Sequence, residues 1–171
     1  LLVRRYTADG ELDATFGNNG TVNDTVFNSI YSYGYDVEIL EDGKIVVVGF
    51  RYDVRQKAYI SRYNADGSID ESFGDNGVVD LEVGEYAEFA LGVEVDTLGN
   101  YLVTGHSELP SIDPDSQLPR CESFIARITK DGALDTTFGE NSDGFVRFEA
   151  FEGDGCVNSQ DASPVVAPDG Q

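Results

Sequence analysis

Methionine and tryptophan are absent from this 171-residue chain, histidine occurs once, cysteine twice, and Lys and Arg together number 11 against 32 Asp and Glu. Each scarcity excludes something. One histidine and two cysteines cannot furnish the His and Cys sets of a transition-metal centre. A formal net charge of -21 repels nucleic acid and anionic membrane surfaces at long range, so neither is expected as a partner. No window approaches the roughly 18 consecutive apolar residues of a membrane span, and no charged-then-apolar leader opens the chain, so membrane insertion is not expected. With no methionine anywhere, Leu1 is not an initiator, and LLVRRY reads as the middle of a repeat. The expectation is a segment of something longer, with room for a targeting signal upstream.

What is present argues for a folded all-β chain. A hydrophobic content of 40% is enough for a real core, and 19 glycines suit many short strands and turns. The phrase RYNADGSIDESFGDNG, from Arg62 to Gly77, is preceded by RRYTADGELDATFGNNG from Arg4 and followed by RITKDGALDTTFGENSDG from Arg127. Gly10 and Gly67 stand 57 residues apart, and Gly67 and Gly132 stand 65 apart, the period of a repeat architecture. A second phrase alternates with the first: DVEILEDGKIVVVG from Asp36 and GVEVDTLGNYLVTG from Gly92, beginning again as SPVVAPDGQ from Ser163.

Within the first phrase, Leu1 to Tyr6, Ala58 to Tyr63 and Ser123 to Ile128 have strand composition, and each runs into an Asp-Gly turn. There Gly10, Gly67 and Gly132 supply positive φ, and Asp9, Asp66 and Asp131 close the turn. Asp13, Asp70 and Asp135 each precede an aromatic by three residues, where a carboxylate can cap a single helical turn. Phe16, Phe73 and Phe138 are then expected to point back into the sheet and anchor each repeat on its neighbour. Burial of one such ring is worth roughly 1.5–3 kcal/mol. Gly17, Gly74 and Gly139 release the chain into a further strand. The run Ile45-Val46-Val47-Val48 reads as a strand covered on both faces.

Four strands in about 57 residues, too thin to hide their own faces, stack radially in β-propellers. These phrases resemble the delta-60 repeat family of bacterial β-propeller repeats, whose units pair xDGxLDxxFGxxG with a DGKIxVxG hairpin. They are more loosely similar to the NHL propeller repeats. The resemblance implies a β-propeller segment of four-stranded antiparallel blades: residues 1–26 an outer half-blade, 27–83 and 84–150 whole blades, 151–171 the start of another. It departs from the pattern at Leu98, which replaces the turn Asp, and at the inserted Ser142-Asp143. About two and a half blades do not close a ring, since propellers typically have four to eight. The remainder is expected from the same chain or another. Members of the family are mostly secreted or surface proteins, so the resemblance implies an extracellular location and no catalytic residue.

Turns inside the hairpins share one face of the disc. Connections between the second and third strands, and from blade to blade, share the other. Arg51 to Lys57 is a short connection and Ser107 to Glu122 a long one, and such variation on one face suits a binding surface. Cys121 and Cys156 both fall on that face; a disulfide between them would imply an oxidising compartment, and unpaired thiols a reducing one. Closing such a span stabilises by about 3–4 kcal/mol.

No cofactor is expected apart from calcium. The stretch holding Asn64, Asp66 and Asp70 fails as an EF-hand loop because Arg62 and Phe73 occupy ligand positions. The calcium candidates are Asp113 and Asp115, and Glu152 and Asp154, in clustered-oxygen segments. His106 follows a strand and reads as a surface side chain, not a general base. Tyr31, Tyr33 and Tyr35 alternate and could present a stacking face to a glycan. The leading functional expectation is a non-enzymatic extracellular or cell-surface scaffold for protein interaction or assembly, as in an adhesin or surface fibre. The competing classes are a secreted carbohydrate- or polymer-active enzyme and a calcium-dependent glycan-binding module.

Overall fold

The computed structural model describes residues 1–23, 31–111 and 119–149. Ten strands and no helix occur among them: β1 Leu2–Arg4, β2 Thr21–Asn23, β3 Tyr31–Ile39, β4 Ile45–Tyr52, β5 Gln56–Tyr63, β6 Val78–Leu81, β7 Glu88–Val95, β8 Tyr101–Leu109, β9 Arg120–Ile128 and β10 Phe145–Glu149. They form antiparallel meanders in chain order: the pair β1-β2, the sheet β3-β4-β5-β6 and the sheet β7-β8-β9-β10. These are β-propeller blades, as the repeat period led one to expect.

Strand β4 shows why the sequence adopts this arrangement. Ile45, Val46, Val47 and Val48 are all buried, because β4 lies mid-sheet and is covered on both faces. On one face, Ile45 and Val47 join Phe16 and Tyr63, with Leu1, Val3 and Val22 packed alongside. On the other, Val46 and Val48 join Ile60, Phe73, Val93, Tyr101, Val103 and Phe124, which fills the space between the two four-stranded sheets. Each interface is thus shared by consecutive repeats, as expected of units that bury their faces only by stacking.

The first strand of each sheet carries a β-bulge at the same place, between Gly34 and Asp36 in β3 and between Ala90 and Gly92 in β7. The bulges match, so the strands remain in step across the interface. There Asp36 Oδ2 accepts a 3.0 Å bond from the Val93 amide.

The Asp-Gly turns form as expected, with Gly67 N donating to the Asn64 carbonyl at 2.9 Å and Asp66 Oδ1 accepting from Ser68 N at 2.9 Å. Where Leu98 replaces the turn Asp, Asp96 supplies the carboxylate instead, accepting from Leu98 N and Asn100 N, each at 2.8 Å. The inserted Ser142 adopts φ 51°, matching Asn19 at 49° and Asn76 at 52°, so the insertion is absorbed locally.

Two expectations need correction. His106 is not a surface residue on a loop edge: it lies inside β8 and is buried. Gly105 does not end the strand. It is the point where the Phe89 carbonyl and the Phe124 ring close on the backbone, 2.0 Å and 2.7 Å from where a Cβ would stand. For the same reason the long connection is shorter than its reading, because β8 continues to Leu109 and β9 begins at Arg120, with Glu108 opposite Cys121.

Candidate functional site

Two constellations arise from the repeats: a latch between blades, and an aromatic face at the opposite end of the strands. The latch contains the residues singled out in the sequence and one that was not. Asp13, Asp70 and Asp135 each cap a turn, Oδ1 accepting from the backbone N–H and the hydroxyl of Thr15, Ser72 and Thr137. Their other oxygen accepts from an arginine eight residues earlier: Arg5 Nε at 2.8 Å, Arg62 Nε at 2.7 Å and Arg127 Nε at 2.8 Å. The guanidinium lies over the ring of the same repeat, its Cζ 4.7 Å from the centroid of Phe16, 4.5 Å from that of Phe73 and 4.7 Å from that of Phe138. Asp70 and Arg62 are buried. Burial pushes the Asp70 carboxyl up, but hydrogen bonds from Lys44, Ser72 and Arg62 outweigh it and hold the group far below the ordinary carboxylate range.

The latch holds the next repeat through its Asp-Gly turn. Gly17 N donates to the Asp66 carbonyl at 2.7 Å, and Gly74 N donates to the Asp131 carbonyl at 3.1 Å. Arg5 Nη1 reaches the Ala65 carbonyl, and Arg62 Nη1 the Lys130 carbonyl. Gly67 and Gly132 then lie on the rings: a Cβ there would come within 2.9 Å of Phe16 and 3.0 Å of Phe73. These turn glycines therefore serve both positive φ and close approach. Phe16 and Phe73 are fully buried, whereas Phe138 is half-buried.

The aromatic face lies where β3 begins and β4 ends. Tyr31, Tyr33 and Tyr35 are 40%, 54% and 53% exposed. Tyr31 stacks on Tyr52 at 5.1 Å and Tyr33 on Phe50 at 5.2 Å, while Tyr35, the extra residue of the bulge, still reaches Phe50 at 5.9 Å. The rings continue inward through Phe89, 4.9 Å from Phe50, to His106, 4.8 Å from Phe89. Burial lowers the His106 pKa and so favours the neutral imidazole among these rings.

The connections beside this face are braced by ion pairs. Arg51 forks onto Asp80, with Nε at 2.9 Å from Oδ1. Arg55 donates to the Tyr86 carbonyl at 2.6 Å and lies 3.2 Å from Glu88 Oε2. Glu88 is fully buried; burial raises its pKa, opposed by the Gly84 amide at 2.7 Å and by Arg55. The only motif-level signal for this brace was an Arg in the short connection.

Other expected site residues fall elsewhere. Asp113, Asp115, Glu152 and Asp154 lie outside the described residues, as does Cys156, so the disulfide with Cys121 stands as a proposal. Among the described residues no three His, Cys, Asp or Glu side chains are grouped to hold a metal ion. No helix there is long and apolar enough to cross a membrane.

Residues 40–73 and 122–138 match the model of a domain of unknown function, the DUF5122 beta-propeller. The matched stretches comprise the hairpin turn, β4, β5, the first interblade turn and the Asp70–Phe73 latch segment, then most of β9 and its latch. The chain is built of β-propeller blades. No curated protein matches it in sequence. A propeller of this kind points to a scaffold or interaction role.

Proposed function

We propose that this chain is a non-enzymatic extracellular or cell-surface scaffold, of the kind found in adhesins and surface fibres, that offers the tyrosine face of β3 to a protein partner. The observation that carries the reading is the exposure of Tyr31, Tyr33 and Tyr35 together on a strand whose other groups are held by the sheet. Tyrosines give large, rigid contact area at low entropic cost, with a hydroxyl at the wet edge, and are enriched in recognition surfaces. Phe50 and Tyr52 fix the rings from behind, and the Arg51–Asp80 and Arg55–Glu88 pairs brace the neighbouring connections. Net charge of -21 favours solubility outside the cell and a basic or neutral partner surface. A Cys121–Cys156 disulfide belongs to the same reading, since it needs an oxidising compartment.

The test is retention of the labelled chain on cell-surface material that has been treated with protease or with periodate. Retention abolished by protease, spared by periodate and lost in the Tyr33→Ser/Tyr35→Ser variant at unchanged melting temperature supports a protein partner. Retention abolished by periodate alone assigns the same face to a glycan and overturns the protein reading. Retention that the double variant leaves intact removes the tyrosine face from the account.

A further inference from the structure

Glu88 has no exposed surface, and neither has Ser107, its partner across the β7-β8 ladder. The bond from Glu108 N to the Ala87 carbonyl makes 87 and 108 a hydrogen-bonded pair, so Glu88 and Ser107 form the next, non-hydrogen-bonded pair, whose side chains stand closer together on one face. The connection before β7 passes over both. Gly84 N donates to Glu88 Oε1 at 2.7 Å, and a Cβ on Gly84 would stand 3.9 Å from Ser107 Oγ. The remaining atoms, Glu88 Oε2 and Ser107 Oγ, are buried with no hydrogen-bond partner among the described residues. Oε2 meets Arg55 Nη1 at 3.2 Å as an ion pair, and the same Nη1 donates to the Tyr86 carbonyl at 2.6 Å.

We propose that Glu88 is a proton-operated tie: as the carboxylate it holds Arg55, and as the acid it turns its Oε2 proton onto Ser107 Oγ and releases Arg55 with the 53–55 connection. The two sides of the carboxyl are built differently. On the inner side, Gly84 N can donate to Oε1 in either form, and a hydroxyl can donate to a carboxylate or accept from an acid. On the outer side, a guanidinium has donors only and keeps its charge, so it serves the anion alone. Proton uptake therefore removes the attraction between the two connections and leaves Glu88 satisfied within its own sheet. The Arg55 side chain is 26% exposed and has water to turn to; that of Glu88 is 0% exposed.

The surrounding charges are engaged elsewhere. Lys57 pairs with Glu82 at 3.4 Å, and Arg51 with Asp80 and Asp53. Glu85 is exposed. Opposite Ser107 on β9 stands Glu122, which pairs with Arg147 at 3.7 Å. His106 precedes Ser107 and so points to the other face of β8, where its ring meets Phe89. Burial raises the Glu88 pKa against the opposition of Gly84 and Arg55. A carboxyl raised in the fold binds its proton more tightly folded than unfolded, so uptake above about 4.3, the value of a free Glu, does not itself unfold the chain. The tie opens in a folded protein.

The test follows two side chains through one titration. In NMR spectra of the isotope-labelled chain from about pH 8 to about pH 4.5, the Glu88 Cδ and Arg55 Nε signals are expected to move with a common midpoint above about 4.3, while the backbone amides stay folded. Arg55→Gln should raise the Glu88 midpoint, because only the anion loses a partner; an arginine with a merely structural role would leave it in place. Glu88→Gln should abolish the Arg55 step and speed tryptic cleavage after Arg55 at neutral pH by about tenfold, the loss of one charge-assisted contact. Should Glu88→Gln melt early, the titrations of wild type and Arg55→Gln decide. An Arg55 signal that does not follow Glu88 overturns the proposal. So does a Glu88 midpoint that Arg55→Gln leaves in place, or unchanged cleavage in a folded Glu88→Gln.

Discussion

Phe73→Ala is the substitution that most directly probes how the blades are joined. The Phe73 ring is fully buried, 5.6 Å from Tyr101 of the following sheet and beneath Arg62 and Gly132. Its removal forfeits transfer free energy and leaves a cavity walled by backbone on the Gly132 side, which cannot readily collapse. The expected cost is about 3–5 kcal/mol. For a chain of this size that corresponds to a fall in melting temperature of about 6–20 °C. Phe138 has the same sequence context and the same arginine, but is half-buried and has no turn above it among the described residues. Phe138→Ala should cost about 1–2 kcal/mol. Thermal and urea melts of both variants at one protein concentration give the comparison. Equal costs would refute the reasoning, because the ring would then act within its own repeat and not between repeats.

The same logic extends to the turn glycines: Gly67→Ala and Gly10→Ala share the strain of positive φ, about 1 kcal/mol, but only the Gly67 methyl collides with Val22 and Phe16. Overpacking there adds about 1–3 kcal/mol, so urea midpoints should separate the two variants. In acid, stability should fall as pH drops below about 4, the carboxylate value of an unfolded chain. Asp70 is held far below that value in the fold, so the unfolded state binds the extra proton and stability rises with pH across this window. Asp70→Asn should flatten this part of the pH profile in chemical denaturation. Intact mass after alkylation without reductant should show neither Cys121 nor Cys156 labelled; two labels would place the chain in a reducing compartment.

Much of this fold was legible because its signals are local. Asp-Gly turns need positive φ, the Asp-x-x-Phe phrase sets a cap and a ring within four residues, and Ile45 to Val48 can satisfy its burial only between two layers. The arginine of the latch was less visible. Arg5, Arg62 and Arg127 received no structural reading from the sequence, because their contact with Asp eight residues later depends on the turn folding back. The constant spacing was the available clue. His106 was misplaced because Gly105 was taken to end a strand, when the glycine is there to admit the Phe89 carbonyl beside the β7 bulge and the Phe124 ring. Glu88 carried no signal at all, since its partner Arg55 belongs to the preceding sheet's connection and the pair exists only once the blades are stacked.

Amide hydrogen exchange at three glycines tests the central claim, that each latch grips the turn of the following blade. Gly17 N and Gly74 N donate across the interface to Asp66 and Asp131. Gly139 N has no such acceptor among the described residues. Gly17 and Gly74 should exchange only with opening of the interface, and Gly139 should exchange faster than either. Equal, fast exchange at all three would contradict the account.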